Sequence, residues 1–394
     1  MGHTIEITEF LLLIAAIVGV LARRLRIPYS VGLVLAGIAL AFVPYSAGLP
    51  LTRELIFDTL LPPLVFEAAF QLPWKPLRRD LPLILLLATV GVVLAAALTA
   101  VGMHYAAGWP WLAALVFGVL IAATDPVSVI AAFKESGIHG RLRILMEAES
   151  LFNDGTAAVG FGIAVAVAIG QQSSAVEIVR SLVVTVGGGI ASGALVGGGI
   201  LLLIGRTEDH LIELTFTTVA AYGSFLLAEH FHLSGILATV TAGIMLGNFG
   251  LLGTITGKGR EAVEAFWEYA AFVANSLIFL LLGLQLAKQS LSSLWFPATA
   301  AIVIVIFGRA LAVYPICWLF SRSTSRVAWE HQNLLFWGGL RGALALALAL
   351  GLPLEMPRRD EIITVSFAVV ASSIFLQGLT IQPLLRKVAP QERG

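Results

Sequence analysis

Apolar runs of about 20 residues recur along the whole chain, the length that crosses the hydrocarbon core of a bilayer as one α-helix. Short stretches rich in charged residues, proline or glycine separate these runs. The pattern predicts an all-α polytopic membrane protein with thirteen transmembrane helices. They are expected at residues 5–22, 29–45, 54–73, 81–106, 110–134, 143–170, 175–205, 209–231, 233–249, 262–287, 294–320, 327–352 and 360–386.

Composition supports the same interpretation. Of the 394 residues, 58% are hydrophobic and only 12% are charged, and the mean hydropathy is +0.93, whereas soluble domains carry about 25% charged residues. The net charge is zero, so no nucleic-acid partner is expected. Cys317 is the sole cysteine, which excludes an intrachain disulfide and a metal site built from cysteines. We expect a single transmembrane domain over residues 1–394, embedded in a lipid bilayer.

The basic residues indicate the orientation of the chain in the membrane. Seventeen of the 24 Lys and Arg residues fall in one set of alternate connections and five in the other, and the remaining two, Arg309 and Arg341, lie inside helices. Cytoplasmic connections carry the excess of positive charge. The N-terminus is therefore expected outside and the C-terminus in the cytoplasm, in the plasma or inner cell membrane.

Two carboxylates lie deep within predicted helices. In IAATDPVSVI, residues 121–130, Asp125 precedes Pro126, which cannot donate a helical hydrogen bond and disfavours helical geometry at the residue before it. This helix is expected to be broken near its middle. From the rise per residue, Asp125 lies roughly 13 Å and Asp154 roughly 16 Å from the basic residues at the cytoplasmic surface. Both approach the midplane, where ionisable side chains are costly and typically functional.

The helix that carries Asp154 has a polar stripe, because Ser150 and Asp154 share one face while Glu149 and Asn153 share the neighbouring one. Hard monovalent cations prefer oxygen ligands, and the broken segment adds free main-chain carbonyls around Thr124. No His or Cys lies nearby, so zinc is not expected. Alternatively, the proline only kinks its helix and the aspartate pairs with an arginine. Two midplane carboxylates beside a broken helix favour ion binding.

A second interrupted helix is expected in FWGGLRGALALALAL, residues 336–350, where three glycines surround Arg341 near the middle of a span. One early and one late interruption are typical of transporters with crossing half-helices, whose dipole ends need neutralising charge. Arg341 either supplies this charge or pairs with a carboxylate such as Glu149, and Arg309 is another candidate. For both arginines, a structural ion pair is favoured over direct transport chemistry.

Glu67 lies in the third predicted helix, in LLPPLVFEAAF, residues 60–70, after a double proline. It either meets water near the helix end, since Gln71, Trp74 and Lys75 follow within two turns, or contributes to the site.

Four motifs, LPPLVFEAA, ATDPVSV, ESLFNDGTA and GGLRGALALALAL, together closely resemble the sodium/proton antiporters of the NhaP and NHE group, in the monovalent cation:proton antiporter-1 family. The resemblance covers the whole chain. It implies an inverted-repeat antiporter fold with two interrupted crossing helices, a homodimer, and no cofactor besides the transported Na⁺ and H⁺. The long cytoplasmic tail of animal members is not expected. A moving core is implied at about 81–170 and 294–386, and a dimerisation scaffold at about 5–73 and 175–287.

The resemblance also implies roles for individual residues. Asp154 is the implied carboxylate for both Na⁺ and the proton, and Asp125, Ser150 and the main chain of Thr124 complete the Na⁺ site. The supporting matches are Glu67, which contributes through water in some members, Asn153, which steadies the unwound segment, and Glu149 with Arg341, a structural ion pair of the core.

The leading hypothesis is a secondary antiporter, not an enzyme, that exchanges Na⁺ for H⁺ by alternating access. Li⁺ is a second expected cation and K⁺/H⁺ exchange an alternative, because all three ions accept oxygen ligands. Asn153 takes up no proton, so Asp154 alone is expected to alternate between proton and cation, in electroneutral one-for-one exchange. An intramembrane aspartyl protease is disfavoured because the sequence has no Gly-x-Gly-Asp motif, and a channel because no filter-like repeated loop is visible.

Overall fold

The computed structural model describes residues 2–25, 27–42, 51–136, 140–171, 174–204, 209–249, 257–289 and 293–388. This part of the chain is helical and contains no strand, and its helices form thirteen successive segments, as the sequence predicts. Two of these segments are interrupted pairs of half-helices, α5 with α6 and α13 with α14. The helices are α1 Gly2–Leu25, α2 Tyr29–Leu40, α3 Leu61–Gln71, α4 Trp74–Ala107, α5 Trp111–Leu120, α6 Val127–Ser136, α7 Arg141–Ala168, α8 Ala175–Ile204, α9 His210–His230, α10 Gly235–Phe249, α11 Gly257–Leu286, α12 Trp295–Leu319, α13 Trp329–Trp337, α14 Ala343–Leu350 and α15 Arg359–Leu385.

Seven of the described helices are long and apolar enough to cross a membrane unaided, and three shorter apolar helices accompany them. The predicted boundaries agree to within a few residues, except at α4. Its first two turns carry Lys75, Arg78 and Arg79, which we predicted from the sequence to lie in the connection before this helix. These turns are helical because they are amphipathic: the three basic side chains are exposed while Leu77 and Asp80 are buried. The predicted residues 43–45 and 205 lie outside the described part of the chain.

Three π-helical turns in the described part of the chain, which the sequence analysis did not predict, widen the helices locally. They lie at Leu55–Leu60, just before α3, at Leu87–Gly91 within α4, and at Ser373–Gln377 within α15. Such turns occur frequently at functional sites. The last of them directs the hydroxyl of Ser373 to the main chain of Arg341, whose N–H donates to it over 3.0 Å. The π-helical turn of α15 thus stabilises the interruption between α13 and α14 through this hydrogen bond.

The two interrupted segments cross each other at their breaks. Residues 121–126 separate α5 from α6, and residues 338–342 separate α13 from α14. The main-chain N–H of Asp125 donates to the carbonyl of Leu340 over 2.8 Å. Gly342 has to be glycine, because a Cβ there would overlap the side chain of Asp125. The two expected interrupted crossing helices are therefore present, and each break is held by the other.

Close contacts between glycines and opposing backbones order the surrounding helices. Gly118 of α5 lies directly on the backbone of α4 near Ala96, and Gly37 of α2 faces Gly283 of α11. A helix pair without side chains at the contact can pack backbone to backbone, as is common in membranes. The division into a core at 81–170 and 294–386 and a scaffold at 5–73 and 175–287 stays a prediction.

Candidate cation-binding site

The predicted site residues come together around one cavity of about 300 Å³. Asp125 lies at the α5–α6 break and Asp154 on α7, and both line the cavity together with Thr124, Ser150 and Glu67. The opposite wall is formed by α3 and α11, which contributes Glu268, Phe272 and Asn275. One part of the cavity wall, with Asp125 and Asp154, therefore lies on the crossing half-helices and α7, and another part, with Glu67 and Glu268, lies on α3 and α11.

The unwound residues between α5 and α6 are fixed by two side chains of α7. The hydroxyl of Ser150 donates to the carbonyl of Thr124. The amide of Asn153 donates to the hydroxyl of Thr124 over 3.2 Å and to the carboxylate of Glu149 over 3.3 Å. Asn153 is 1% exposed and Ser150 4% exposed. Oxygens at Thr124 and Ser150 are thus held in fixed positions at the edge of the cavity, as cation ligands require.

The two aspartates have different surroundings. The carboxylate of Asp125 accepts from the main-chain N–H of Val127 over 3.0 Å, and the N–H of Ala343 also faces it. These groups begin α6 and α14, so Asp125 lies at the positive ends of two half-helices. Within the described residues, no hydrogen bond or ion pair holds the carboxylate of Asp154. Asp154 is consequently the carboxylate with free ligand capacity.

Two arginines lie at the opposite, negative ends of the half-helices. Arg341 donates to the carbonyls of Ala122 over 2.9 Å and Ala123 over 3.2 Å, at the end of α5. Arg309, on α12, donates to the carbonyl of Leu335, near the end of α13, over 3.0 Å. The crossing therefore places a carboxylate at its positive ends and a guanidinium group at each negative end, which is the favourable arrangement for helix dipoles.

The prediction of an ion pair between Glu149 and Arg341 is wrong. Arg309 instead holds Glu149, through two hydrogen bonds of 2.7 and 2.9 Å. The reason is geometric: Arg341 lies on the break itself, and its guanidinium group crosses to the free carbonyls of the other half-helix. Arg309 approaches from α12, and both terminal nitrogens of its guanidinium group donate to Glu149, the bidentate geometry preferred by arginine and carboxylate. Both residues are buried.

A polar chain that the sequence analysis missed leads from the cavity toward one end of the bundle. Glu67 accepts from the side chain of Gln71, Gln71 accepts from Arg143 over 3.2 Å, and Arg143 donates to Glu147 over 2.8 Å. Gln71, Arg143 and Glu147 also line an adjoining cavity of about 400 Å³ with Arg260 and Glu264. The spacing of polar residues along α7 could have revealed the α7 part of this polar chain, because residues 143, 147, 150 and 154 share one face of that helix.

A separate cavity of about 820 Å³ opens at the other end of the bundle, lined by Arg53, Glu229 and Ala158 among others. Ala158 lies one helical turn beyond Asp154 on α7. Between them, Gly155 packs tightly against the side chain of Leu237 on α10. This apolar contact lies between the aspartate and the large cavity, whereas the polar chain leads from the cavity that Asp154 lines toward the opposite end.

Known proteins resemble this chain in sequence and in overall fold. The sequence profile of the family described as "Sodium/hydrogen exchanger, transmembrane" matches residues 11–387. The Na(+)/H(+) antiporter ApNhaP of Aphanothece halophytica is 39% identical over 365 residues, which cover 92% of this chain and 70% of that protein. The Na(+)/H(+) antiporter NhaH of Halobacillus dabanensis is 33% identical, with 96% and 97% covered. The solved structure of the sodium proton antiporter MjNhaP1 from Methanocaldococcus jannaschii has the same fold, with a TM-score of 0.79, 20% identity and 98% of both chains covered.

Proposed function

The chain belongs to the sodium/hydrogen exchanger family, and we propose that it is a secondary antiporter that exchanges Na⁺ for H⁺ across the membrane by alternating access. The observation that carries this proposal is the cavity in which Asp154 lies beside Asp125, Ser150 and Thr124 and has no hydrogen-bond or ion-pair partner among the described residues. A carboxylate with free ligand capacity is able to take either a proton or a cation. The two ions then compete for one group, and this competition couples their transport.

The ligand set proposed for Na⁺ consists of oxygens only. Asp154 and Asp125 supply charge, and the hydroxyl of Ser150 and the main-chain carbonyl of Thr124 supply neutral ligands. Because Thr124 and Ser150 are tied to each other, the site has limited freedom to expand. A fixed, small site favours Na⁺ and Li⁺ over the larger K⁺, whose transport is the less favoured alternative. The cation and the proton are cargo, and no cofactor is required.

Charge balance supports exchange of one cation for one proton. The cluster at the crossing contains three carboxylates, at Asp125, Glu149 and Asp154, and two guanidinium groups, at Arg309 and Arg341. Glu149 and both arginines are buried, and the two aspartates are partly buried and line the cavity. When all five are ionised, the cluster has one net negative charge. One Na⁺ or one H⁺ neutralises it, and an uncompensated charge deep in a membrane protein is costly. The loaded states with either ion are therefore equivalent in charge.

Alternating access requires one wall of the cavity to move relative to the other. We propose that the core at 81–170 and 294–386, which carries Asp125 and Asp154, moves against the scaffold at 5–73 and 175–287. The excess of basic residues favours the cytoplasm for the end reached through Arg143 and Glu147. The structure then corresponds to an inward-facing conformation, with the contact of Gly155 and Leu237 as part of the outer seal. We also propose a homodimer in the plasma or inner membrane, because the chain belongs to the sodium/hydrogen exchanger family.

Proton movement in proteoliposomes tests the proposal. Purified protein is reconstituted with an internal pH dye, and Na⁺, Li⁺ and K⁺ are added in turn to vesicles with a preset pH gradient. We expect Na⁺ and Li⁺ to dissipate the gradient and K⁺ to have much less effect. Dissipation by K⁺ alone would establish the alternative cation. Cleavage of a model transmembrane substrate, with no cation-driven proton movement, would overturn the proposal in favour of an intramembrane protease.

A further inference from the structure

A small cavity of about 20 Å³ lies on the far side of the helix crossing from the cation site. It is enclosed by α12, α15 and the α13–α14 break, and its polar walls are Arg309, Arg341, Ser372, Ser373 and Gln377. A cavity of more than roughly 10–15 Å³ accommodates one water molecule, provided that polar partners are present. This cavity therefore has the size and the lining of an internal hydration site.

Two buried side chains at this cavity have unused hydrogen-bonding capacity. The Nε of Arg309 is buried and has no hydrogen-bond partner in the part of the chain that the structure describes, although both terminal nitrogens of Arg309 are engaged. The side-chain amide of Gln377, 4% exposed, makes no hydrogen bond to any residue that the structure describes. Buried polar groups are nearly always satisfied by protein or by ordered water, because an unmet group has lost its hydration without replacement.

We propose that one ordered water molecule in this cavity connects Arg309 to Gln377, which makes Gln377 a positioning residue for the cation site. The water accepts the Nε–H of Arg309 and donates to the amide oxygen of Gln377. Its second hydrogen is directed to the hydroxyl oxygen of Ser372, whose own hydrogen is donated to the carbonyl of Val369. Three hydrogen bonds are typical of a buried water.

Water fits this cavity better than an anion does, in spite of the two guanidinium groups. The cluster around the crossing is already neutral when it holds one monovalent cation or one proton. A chloride ion would add a negative charge to the loaded state in a region of low dielectric constant, which is unfavourable. A neutral molecule that both donates and accepts meets the needs of Arg309 and Gln377 together.

Gln377 reaches the cation site through a continuous series of contacts. Arg309 binds Glu149 over 2.7 and 2.9 Å, and Glu149 accepts from Asn153 over 3.3 Å. Asn153 in turn donates to the hydroxyl of Thr124 over 3.2 Å. The π-helical turn Ser373–Gln377 places Ser373 and Gln377 at its two ends, both at this cavity. A change at Gln377 is thereby transmitted to the oxygens that surround the cation.

Two substitutions remove the water by different routes. Gln377→Met keeps the volume of the side chain and removes the acceptor. Val305→Ile adds one methyl group to a cavity-lining residue of α12 that is 5% exposed, and so displaces the water without touching a polar group. The matched control is Val303→Ile on the same helix, 48% exposed on the outer surface.

The transport part of this inference rests on the proposed Na⁺/H⁺ exchange. We expect Gln377→Met and Val305→Ile each to raise the KM for Na⁺ by about 3- to 10-fold, with a much smaller change in kcat, since coupling through such networks is modest. Val303→Ile should behave as wild type. Unchanged KM values in both cavity variants, or an equal effect of Val303→Ile, would overturn the positioning role. If Gln377→Met does not fold, Val305→Ile decides the matter alone.

A high-resolution density map of the wild-type protein tests the water directly and does not depend on transport. We expect one spherical peak within hydrogen-bonding distance of both Arg309 Nε and the Gln377 amide, and its loss in Val305→Ile. A cavity without density overturns the inference, and so does an anomalous peak there in crystals grown with bromide, which would identify an anion. If the water is present and no Na⁺/H⁺ exchange is measured, the proposed function fails while the hydration site stands.

Discussion

The main-chain N–H of Asp125 donates a 2.8 Å hydrogen bond to the carbonyl of Leu340, so each interrupted helix uses a free group of the other. A break in a transmembrane helix leaves main-chain groups that lipid cannot satisfy. Here the two breaks satisfy one another, and Asp125, Arg309 and Arg341 neutralise the dipole ends. The same arrangement exposes oxygens to the cavity at Asp154, which links the stability of the crossing to its capacity to bind a cation.

Replacing Asp154 with Asn is expected to abolish Na⁺-driven proton movement and to leave the protein folded. The carboxylate has no partner among the described residues, so its loss removes ligand capacity without breaking a contact. Proteoliposome assays and thermal unfolding measure the two effects. The matched control is Asp360→Asn, whose side chain is 95% exposed, and it should transport normally. Asp125→Asn should lower both transport and stability, because it removes the negative charge that faces the positive ends of α6 and α14. Exchange retained in a well-folded Asp154→Asn variant would exclude the proposed role.

Gly342→Ala is expected to destabilise the crossing. The added Cβ would overlap the side chain of Asp125, and overpacking of this kind typically costs about 1–3 kcal/mol. The control is Gly199→Ala on α8, where an added Cβ meets nothing within 4 Å and alanine is the better helix former. Thermal unfolding in detergent should show a lower midpoint for Gly342→Ala only. Equal midpoints in the two variants would contradict the close approach of the two breaks.

The partner of Glu149 can be identified by a double-mutant cycle. Glu149→Gln or Arg309→Met alone should lower the free energy of unfolding by roughly 3–5 kcal/mol, because each leaves the other charge buried and unpaired. The double variant should recover part of the loss. A parallel cycle between Glu149 and Arg341 should show a smaller coupling energy, since Arg341 contacts main-chain carbonyls. A larger coupling energy between Glu149 and Arg341 than between Glu149 and Arg309 would instead support the ion pair expected from the sequence.

Local chemistry made the main features of the fold predictable. Hydrophobic length determines how many helices cross the bilayer. Pro126 after Asp125 marks the first interruption, and Gly338, Gly339 and Gly342 mark the second. The proline and the glycines each affect only the backbone within a few residues of their own position. The gathering of Asp125, Ser150 and Asp154 around one cavity followed from the same reasoning, because helical spacing places Ser150 and Asp154 on one face.

The remaining features depend on contacts between distant parts of the chain. Glu149 and Arg309 are 160 residues apart, and nothing in the local pattern of either arginine shows which one reaches the carboxylate. The π-helical turn at Ser373–Gln377 is equally invisible in the sequence, since it depends on the packing of α15 against the break at Arg341. The choice between two chemically equivalent arginines is made by three-dimensional position alone.

Competition at Asp154 predicts a pH-dependent affinity for Na⁺. A proton on this carboxylate excludes the cation, so the apparent KM for Na⁺ should rise as the pH falls and level off at high pH. Where the protonated form dominates, one exclusive proton gives about a tenfold rise per pH unit. Initial rates at several Na⁺ concentrations, at a series of matched internal and external pH values, measure this slope. A KM independent of pH would contradict a shared site, and a steeper slope would indicate a second competing proton.

The charge of the cluster around the crossing predicts that exchange is electroneutral. Asn153 next to Asp154 takes up no proton, and one Na⁺ or one H⁺ neutralises the three carboxylates and two guanidinium groups equally well. Each half-cycle then moves the same net charge, and the full cycle moves none. A K⁺ diffusion potential, set by valinomycin across proteoliposomes with Na⁺ as the transported cation, should leave both the rate and the end-point of exchange unchanged. A dependence on the imposed voltage would contradict one-for-one exchange and would point to Asp125, the other carboxylate at the crossing, as a second proton carrier.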